Sequence, residues 1–352
     1  RGAWFRATPL PGPVLLLNAA TVPSAELLNK IRQCAQRGEV GCVRTNGRLA
    51  AALLPAGLAP PSADASAEEF ASFLQDLNLR EIDCQLPLVE YPHDLVRHHV
   101  AALKANLNDR LARGAYREVA DGVFVQGEVE LGQYLVTDSR PGPILIDAGA
   151  KIGPHCYLSG PAYIGANARV IEHSAIKDGV ALGHTTKIGG EVEASIIESY
   201  TNKQHHGFLG HSYLGSWVNL GAGTCNSDLK NTYGQVNMEY YGRKVATGMQ
   251  FIGTIIGDYA KSAINTGIFT GKTVGACSMV YGFVTTNVPS FVNYARLFGQ
   301  VTETPADVMI ATQGRMFARR NVAQRPCDMQ LLRDMYELTR HERQMAGEPL
   351  SL

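Results

Sequence analysis

Aliphatic residues recur at every sixth position through the middle of the chain. The first block has eight such positions from Ile146 to Ile188, and a Gly follows four of them. An amphipathic helix would repeat every three to four residues, and a half-buried strand would alternate. A strict six-residue period predicts a β-solenoid, in which each short strand supplies one inward aliphatic residue and Gly turns the corner. The positions are Ile146, Ile152, Leu158, Ile164, Val170, Ile176, Leu182 and Ile188, then Leu214 and Leu220, then Ile256, Ile268, Val274 and Val280, with Ser262 where one is missing.

The flanking segments do not share this period and divide the chain into further parts. A continuous apolar run at residues 13–18 predicts a buried parallel strand, and residues 24–37 predict a helix with Ser24 as N-cap. Two strands at residues 40–45 and 48–54 are expected around an Asn46-Gly47 turn. The predicted parts are an α/β unit (1–60), a linker with helices at 67–77 and 92–113 (61–117), the solenoid (118–304) with a polar excursion at 225–250, and a C-terminal helical cap (305–352).

Composition excludes several classes of partner. Lys plus Arg and Asp plus Glu number 32 each in 352 residues, and no basic stripe indicates nucleic acid. The longest apolar stretches are too short to span a bilayer, so no membrane association is expected. Seven scattered Cys without paired spacing favour reduced thiols and a cytoplasmic protein.

One polar cluster lies where the six-residue repeat becomes irregular, at residues 199–228. Three of the ten His lie within seven residues there, at positions 205, 206 and 211. Burying adjacent His in a solenoid core without partners would be costly, so these side chains are expected at the surface. They are either ordinary residues of a polar corner or part of a ligand site beside the Gly-Ala-Gly segment at 221–223.

The cluster resembles a known family of sugar-modifying enzymes. His205, Phe208-Leu209-Gly210 and the run from Asn219 to Asn226 are similar to the acetyltransferase domain of bifunctional glucosamine-1-phosphate acetyltransferase/N-acetylglucosamine-1-phosphate uridyltransferases. The stretch from Asn202 to Tyr213 looks closer still to bacterial sugar nucleotidyltransferases with a fused hexapeptide domain. The resemblance covers about residues 118–282 well and residues 13–111 weakly. It implies a left-handed parallel β-helix of hexapeptide repeats, preceded by a partial nucleotidyltransferase-like α/β domain.

The resemblance also implies roles for individual residues. His205 falls on the family's catalytic base, which accepts a proton as the sugar amine attacks acetyl-CoA, the co-substrate. The expected substrate-binding residues are Asn202, Lys203, His206, Tyr213, Asn219, Asn226 and Asp228, with Lys203 as our candidate for the sugar phosphate. The expected acetyl-CoA contacts are Ala222, whose N–H is placed to stabilise an oxyanion, with Gly223, Asn265 and Gly282. The expected substrate is an amino-sugar phosphate such as glucosamine-1-phosphate, and the expected assembly is a homotrimer.

Two residues depart from the family pattern. Phe208 replaces a Tyr, and Glu193 stands where a phosphate-binding Lys is expected, which puts glucosamine-1-phosphate itself in question. In the N-terminal part, no Gly-rich triphosphate loop precedes the first strand, and Ala19 follows Asn18 where an acid is expected. We therefore expect either that the front of this domain lies upstream of Arg1 or that this part is structural.

Three other functions remain open from the sequence. The first is a sugar nucleotidyltransferase that needs Mg²⁺ and uses the solenoid only for assembly or ligand sensing. The second is a zinc site across a subunit interface that includes His206 and His211, as in γ-class carbonic anhydrases, although no metal is our expectation. The third is a non-catalytic scaffold, which Glu193 and Phe208 favour.

Overall fold

The computed structural model describes residues 14–58, 61 and 65–345. These residues form two compact units, the first ending at Leu95 and the second beginning at Val96. Three sequence predictions reach beyond this range. The predicted α/β unit included residues 1–13, with Pro13 in its first strand, and residues 59–60; parts of the linker (62–64) and the end of the predicted cap (346–352) also lie outside the described residues.

The first unit is a small antiparallel sheet with two helices packed against it. Strand β1 (Val14–Leu17) pairs with β3 (Arg48–Leu54), which pairs with β2 (Gly41–Thr45), and all pairings are antiparallel. Helix α1 (Ala25–Gln36) begins at the predicted cap, where the Ser24 hydroxyl accepts from the Leu27 amide. The prediction of a buried parallel first strand was wrong, because β1 lies at the sheet edge and exposes Leu15 and Leu17. Helix α2 spans Ala67–Asp76.

The second unit contains the predicted solenoid. Helix α3 (His93–Arg113) precedes it, and Leu103 and Leu107 of α3 pack on Leu145. Asp147 fixes this contact, because its carboxylate accepts hydrogen bonds from Arg110, Tyr116 and Tyr163 at 2.5–2.8 Å. The strands are β4 (Arg117–Ala120), β5 (Val123–Val125), β6 (Glu130–Leu131), β7 (Val136–Asp138), β8 (Ile144–Ile146), β9 (Lys151–Ile152), β10 (Tyr157–Ser159), β11 (Ala162–Ile164), β12 (Arg169–Val170), β13 (Ala175–Lys177), β14 (Val180–Leu182), β15 (Lys187–Ile188), β16 (Glu191–Glu193), β17 (Ile196–Ile197), β18 (Asn202–Lys203), β19 (Phe208–Gly210), β20 (Tyr213–Leu214), β21 (Cys225–Asn226), β22 (Asn237–Tyr240), β23 (Arg243–Ala246), β24 (Thr254–Ile256), β25 (Lys261–Ser262), β26 (Gly267–Ile268), β27 (Lys272–Val274), β28 (Met279–Val280), β29 (Phe283–Val284), β30 (Val292–Ala295) and β31 (Gln300–Glu303).

Most of these strands stack in parallel sheets, so that each aliphatic position of the six-residue repeat lies above the position 18 residues before it. One sheet has the order β27-β24-β20-β17-β14-β11-β8-β5-β4, a second β19-β16-β13-β10-β7 and a third β18-β15-β12-β9-β6. Ile164, for example, pairs with Ile146 below it and Leu182 above it. The predicted β-solenoid and its aliphatic core are confirmed. At the missing position, the Ser262 hydroxyl contacts Thr224 Oγ1 at 2.7 Å and accepts from the Gly221 amide at 3.0 Å, so a hydrogen bond replaces the aliphatic contact.

The glycines that follow the aliphatic residues of the repeat allow successive coils to pack closely. A side-chain carbon at Gly153 would lie 2.5 Å from the Glu172 amide nitrogen, and one at Gly189 only 2.1 Å from the Gln204 carbonyl oxygen. Residues with positive φ are found elsewhere in the turns, and several are not Gly, such as His155 (57°) and His173 (59°). Gly was correctly expected after the aliphatic residues, but the expected reason, its freedom to turn the chain, was wrong. Gly is needed there because the next coil approaches its Cα too closely for any side chain.

The polar excursion forms a hairpin with its own small core. Strands β22 and β23 pair in antiparallel fashion, and Val236 and Met238 pack with Ile252, Ile255 and Val96. A six-residue period cannot describe this segment, because successive side chains of a hairpin strand alternate between its two faces.

The C-terminal helices lie against the solenoid. They are α4 (Ala306–Ala318), α5 (Pro326–Leu338) and α6 (Arg340–Met345), after a 3₁₀ helix at Arg296–Phe298. Helix α4 follows the flank of the solenoid: Gln313 donates to the Tyr259 hydroxyl, and Arg320 just beyond α4 donates to Asn202 Oδ1. The C-terminal segment therefore contacts earlier coils of the solenoid and does not only cover the last one. None of the helices among the described residues is long and apolar enough to cross a bilayer.

Two interacting carboxyl groups, those of the half-buried Glu198 and of Asp258, make stability depend on pH. Burial, and then the charge of Asp258, raises the pKa of Glu198, and burial also raises the pKa of Asp258. A folded-state pKa above the unfolded value means that folding favours the protonated form, so this stability is present at low pH and is lost as pH rises through the folded pKa.

Glu198→Gln should therefore melt at a higher temperature than the unmodified protein at pH 7.5, and the difference should shrink below about pH 4. Thermal unfolding followed by circular dichroism across this range measures it. Glu128→Gln, at an exposed position, serves as the control. A Glu198→Gln protein that melts lower at pH 7.5 would show that the carboxylate is stabilising.

Candidate functional site

The His-rich segment forms a corner loop between two faces of the solenoid. Strand β18 leads into residues 204–207, and β19 leads out of them. Lys203 pairs in register with Ile188, so its side chain occupies the inward position of an aliphatic residue and is only 2% exposed. Its ammonium donates to the carbonyls of Gly189 at 2.6 Å, His205 at 3.1 Å and Gly207 at 2.7 Å. The buried lysine therefore holds the loop from below.

This geometry corrects the expected role of Lys203 as the phosphate contact. All three N–H groups of its ammonium donate to backbone carbonyls, so none is left for a phosphate. Burial lowers the pKa of Lys203 to about 8, which is the expected effect of removing an ammonium from water. Lys203 is a structural residue of the loop.

The loop presents two exposed imidazoles, those of His205 and His206. The next two coils bring three of the expected acetyl-CoA contacts to the same corner, Ala222 and Gly223 on the first coil and Asn265 on the second. A side-chain carbon at Gly223 would lie 3.4 Å from His206 Nε2 and 2.1 Å from Asn265 Oδ1, so only Gly fits between these groups. The Gly223 amide donates to the His206 carbonyl and the Asn265 amide to the Ala222 carbonyl. Gly282 lies in the following turn, where its carbonyl accepts from Gly267 and Leu297 covers its Cα.

Ala222 has an amide N–H with no hydrogen bond to any of the described residues, unlike that of Gly223. It is half-buried in the coil next to the His205 loop. A backbone donor without a partner can bind an oxyanion at no cost in broken hydrogen bonds.

Sequence reasoning missed Cys225 as a member of this site. Its thiol is exposed, and its Sγ accepts from the Phe208 amide at 3.3 Å. The only sequence signal was its position directly after the Gly-Ala-Gly-Thr segment, which did not specify a side-chain direction.

Two expected substrate contacts are used elsewhere. Asn226 is 5% exposed; its side-chain carbonyl accepts from the Gly210 amide and its NH₂ donates to the Gly210 carbonyl. It pairs with Ile268 in register, so it occupies an inward position as Lys203 does. Tyr213 lies on a different sheet, in β20, and its hydroxyl is 3.5 Å from Glu198 Oε1. Neither residue is placed to touch a ligand at the His205 loop.

Asp228 forms a second polar pair with His211 at the far end of β19. His211 Nδ1 lies 2.9 Å from Asp228 Oδ2, and the imidazole stacks on Phe251 with ring centroids 5.2 Å apart. This arrangement fixes the ring orientation, as an Asp–His pair does in many active sites. His211 follows His205 by six positions, which places the two at most about 20 Å apart along the chain. They lie at adjacent corners of the solenoid.

The remaining expected contacts lie on the flat face before the loop. Asn202 Nδ2 is 3.4 Å from Asn219 Oδ1, and Asn202 Oδ1 accepts from Arg320 at 2.7 Å. Asn219 is exposed. Glu193 does not carry an unopposed charge, because Lys177 lies 3.4 Å from it and 2.7 Å from Glu191. Among the residues that the structure describes, no group of three or more His, Cys, Asp or Glu side chains is arranged to hold a metal ion.

Comparisons with known proteins agree with the resemblance. No family model matches the chain. The bifunctional sugar-1-phosphate nucleotidylyltransferase/acetyltransferase of Sulfurisphaera tokodaii is 29% identical over 142 residues, which are 40% of this chain and 35% of the relative. The bifunctional protein GlmU of Acidithiobacillus ferrooxidans is 30% identical over 185 residues, 50% of this chain and 37% of the relative.

Solved structures with similar coils include the UDP-N-acetylglucosamine acyltransferase of Francisella novicida (15% identity, TM-score 0.32, 63% of this chain and 84% of that one). The acetyltransferase domain of PglB from Neisseria gonorrhoeae with acetyl coenzyme A is another (11% identity, TM-score 0.22, 61% and 85%). The chain spans little more than a third of the length of the two bifunctional enzymes, and over about half of its own length it is similar to bifunctional nucleotidylyltransferase/acetyltransferases of the GlmU type.

Proposed function

We propose that this chain is an acetyl-CoA-dependent N-acetyltransferase that acts on an amino-sugar phosphate. The observation that carries the proposal is the His205 loop, in which the buried Lys203 ammonium holds the backbone below an exposed imidazole, and the next coil carries the unpartnered Ala222 amide. Acyl transfer to an amine requires a base and a donor for the developing oxyanion, and we propose that His205 and the Ala222 amide supply them. The relatives, whose printed names include an acetyltransferase, support the same reaction.

In the proposed reaction, the sugar amine attacks the thioester carbonyl carbon of acetyl-CoA. His205 accepts the proton that the amine loses on forming the C–N bond. The carbonyl oxygen becomes negative in the tetrahedral intermediate, and the Ala222 N–H is the donor offered to it. The C–S bond then breaks, and the CoA thiolate takes up the proton to leave as the thiol.

We also propose that the protein acts as a homotrimer, in which a neighbouring subunit covers the exposed corner at His205. Gly223 and Asn265 would then line one wall of a cleft, and the neighbour would supply the other. Analytical ultracentrifugation should give three times the monomer mass.

The test is release of CoA thiol, followed with a thiol-reactive chromophore, when the protein is mixed with acetyl-CoA and glucosamine-1-phosphate. We expect release that depends on the free amine. N-acetylglucosamine-1-phosphate is the matched control, because its nitrogen is already acylated. Thiol release at the same rate with both sugars, or with neither, would contradict N-acetyl transfer to this substrate.

The nucleotidyltransferase alternative makes a separate prediction in the same preparation. It requires Mg²⁺-dependent formation of diphosphate from a nucleoside triphosphate and a sugar-1-phosphate. Among the described residues of the first unit, Asn18 follows β1 and its side chain caps a local turn, donating to Leu49 and accepting from Ala20. No observation at that strand end favours triphosphate binding.

A further inference from the structure

A ladder of cationic side chains runs up the flat face that leads to the His205 loop. Lys151, Arg169, Lys187 and Asn202 are paired in register on four consecutive strands, β9, β12, β15 and β18. Each stands one residue before an inward position, so all four face away from the core. Neighbouring strands are about 4.8 Å apart, so these side chains are near neighbours.

Only the first cation of this ladder is neutralised. Lys151 forms an ion pair with Glu130 on the strand below. Arg169 and Lys187 form no ion pair with a carboxylate of the described residues, although they lie side by side. Like charges on adjacent strands repel each other, so this arrangement costs stability unless something offsets it.

The end of helix α4 adds two more positive charges to the same place. Arg320 donates to Asn202 Oδ1 at 2.7 Å, which anchors its guanidinium above β18. Burial lowers the pKa of Lys187, as do Arg320, Arg169 and Arg319 in that order. Burial, Arg319 and Arg169 likewise lower the pKa of Arg320. No carboxylate acts on Lys187 or Arg320 to raise either value.

The end of α4 explains only part of this cluster. Cations near the C-terminus of a helix interact favourably with its dipole, which accounts for Arg319 and Arg320. It does not account for Arg169 and Lys187, which project from the sheet. The four cations, with the Asn202 and Asn219 amides at one edge, form what we call the cationic face.

We infer that the cationic face is a binding site for a phosphate or diphosphate group. Arg side chains match phosphate oxygens with paired N–H donors, and several cations around one anion suit a multiply charged group. Bound phosphate would remove the repulsion between Arg169 and Lys187. Asn202 precedes His205 by three residues, a span of at most about 10 Å, so a ligand anchored here reaches the loop.

Two ligands of the proposed reaction carry such groups, the diphosphate of CoA and the phosphate of the amino sugar. The inference itself concerns binding and does not depend on acetyl transfer. The cationic face offers a phosphate contact that neither Lys203 nor Glu193 can provide. The N–H groups of Lys203 donate to backbone carbonyls, and Glu193 is acidic.

Calorimetric titration with inorganic diphosphate at low ionic strength tests the site. Lys187→Gln and Arg320→Gln should each weaken binding at least about tenfold, the loss expected for one charge-assisted hydrogen bond. Lys151→Gln removes the same charge from the same face and should change the affinity less than about twofold, because Lys151 already has a carboxylate partner.

Unfolding temperature separates binding from folding in these variants. Lys187→Gln relieves repulsion and should be at least as stable as the unmodified protein. Displacement of diphosphate by CoA would assign the site to the acyl donor, and displacement by glucosamine-1-phosphate would assign it to the acceptor. Absence of diphosphate binding, or equal weakening by all three substitutions, would overturn the inference.

Discussion

His205→Ala is expected to reduce acetyl transfer by about 10²–10⁴-fold, the usual contribution of a positioned general base. The imidazole is exposed, and the only contact that involves His205 in holding the loop is its backbone carbonyl, which accepts from Lys203. The free energy of unfolding should therefore change by less than about 0.5 kcal/mol, as for other surface substitutions. Steady-state CoA release and thermal unfolding measure the two effects on the same preparation.

His206→Ala is the matched control, because it removes an adjacent exposed imidazole from the same loop. It should raise KM more than it lowers kcat, since His206 lies against Gly223 and Asn265 and is proposed to contact ligand only. The acid limb of the kcat/KM profile should vanish in His205→Ala and persist in His206→Ala. Full turnover by His205→Ala, with loss of turnover in Asp228→Asn, would transfer the role of base to the His211–Asp228 pair.

Lys203→Met is expected to damage both stability and catalysis without removing any group that touches the substrate. Loss of the ammonium removes a donor from three carbonyls, of which that of Gly189 is buried, and a buried acceptor without a donor costs about 1–3 kcal/mol. A fall of roughly 2–6 °C in unfolding temperature follows for a protein of this size. Turnover should fall at least about tenfold, because small misplacement of a catalytic group is costly.

The pH dependence of this effect has a definite sign. Burial lowers the pKa of Lys203 to about 8 in the folded protein, whereas a free lysine titrates near 10.5. Between these values the unfolded chain binds more protons, so Lys203 contributes more stability as pH rises. The stability lost in Lys203→Met should therefore grow from pH 7 to pH 10.

Two measurements identify Lys203 as a positioning residue. The acid limb that reports His205 should remain in the kcat/KM profile of Lys203→Met, although the rate is lower. Lys151→Met, on the same face in an exposed ion pair with Glu130, should alter unfolding by less than about 1 kcal/mol. If Lys203→Met unfolds like the unmodified protein, the ammonium does not hold the loop.

The solenoid was predictable because one inward residue in six is a strong repeating signal. The same repeat, followed through a shortened coil, would have placed Lys203 at an inward position. The coil from Ile188 to Lys203 contains 15 residues instead of 18, and pairing in register shows that the lysine takes the place of an aliphatic residue. A strict six-residue count misses this position, because the coil is shortened, and a lysine at an inward position is not expected from its chemistry.

Other features required three-dimensional information. The apolar run at β1 suggested burial on both faces, yet the strand lies at an edge and exposes Leu15 and Leu17. The cationic face combines β12 and β15 with Arg320, which is more than 130 residues away in sequence. No local pattern predicts that α4 returns along the flank of the solenoid.

Carbon-13 NMR of the products most directly tests the claim that the His205 loop transfers an acetyl group to nitrogen. The unmodified protein is mixed with acetyl-CoA labelled at the carbonyl carbon and with glucosamine-1-phosphate. We expect the thioester signal to be replaced by the signal of an amide carbonyl bonded to the sugar nitrogen, and His205→Ala to form almost no amide. Conversion of the thioester to free acetate alone, or an equal amide yield from His205→Ala, would contradict it.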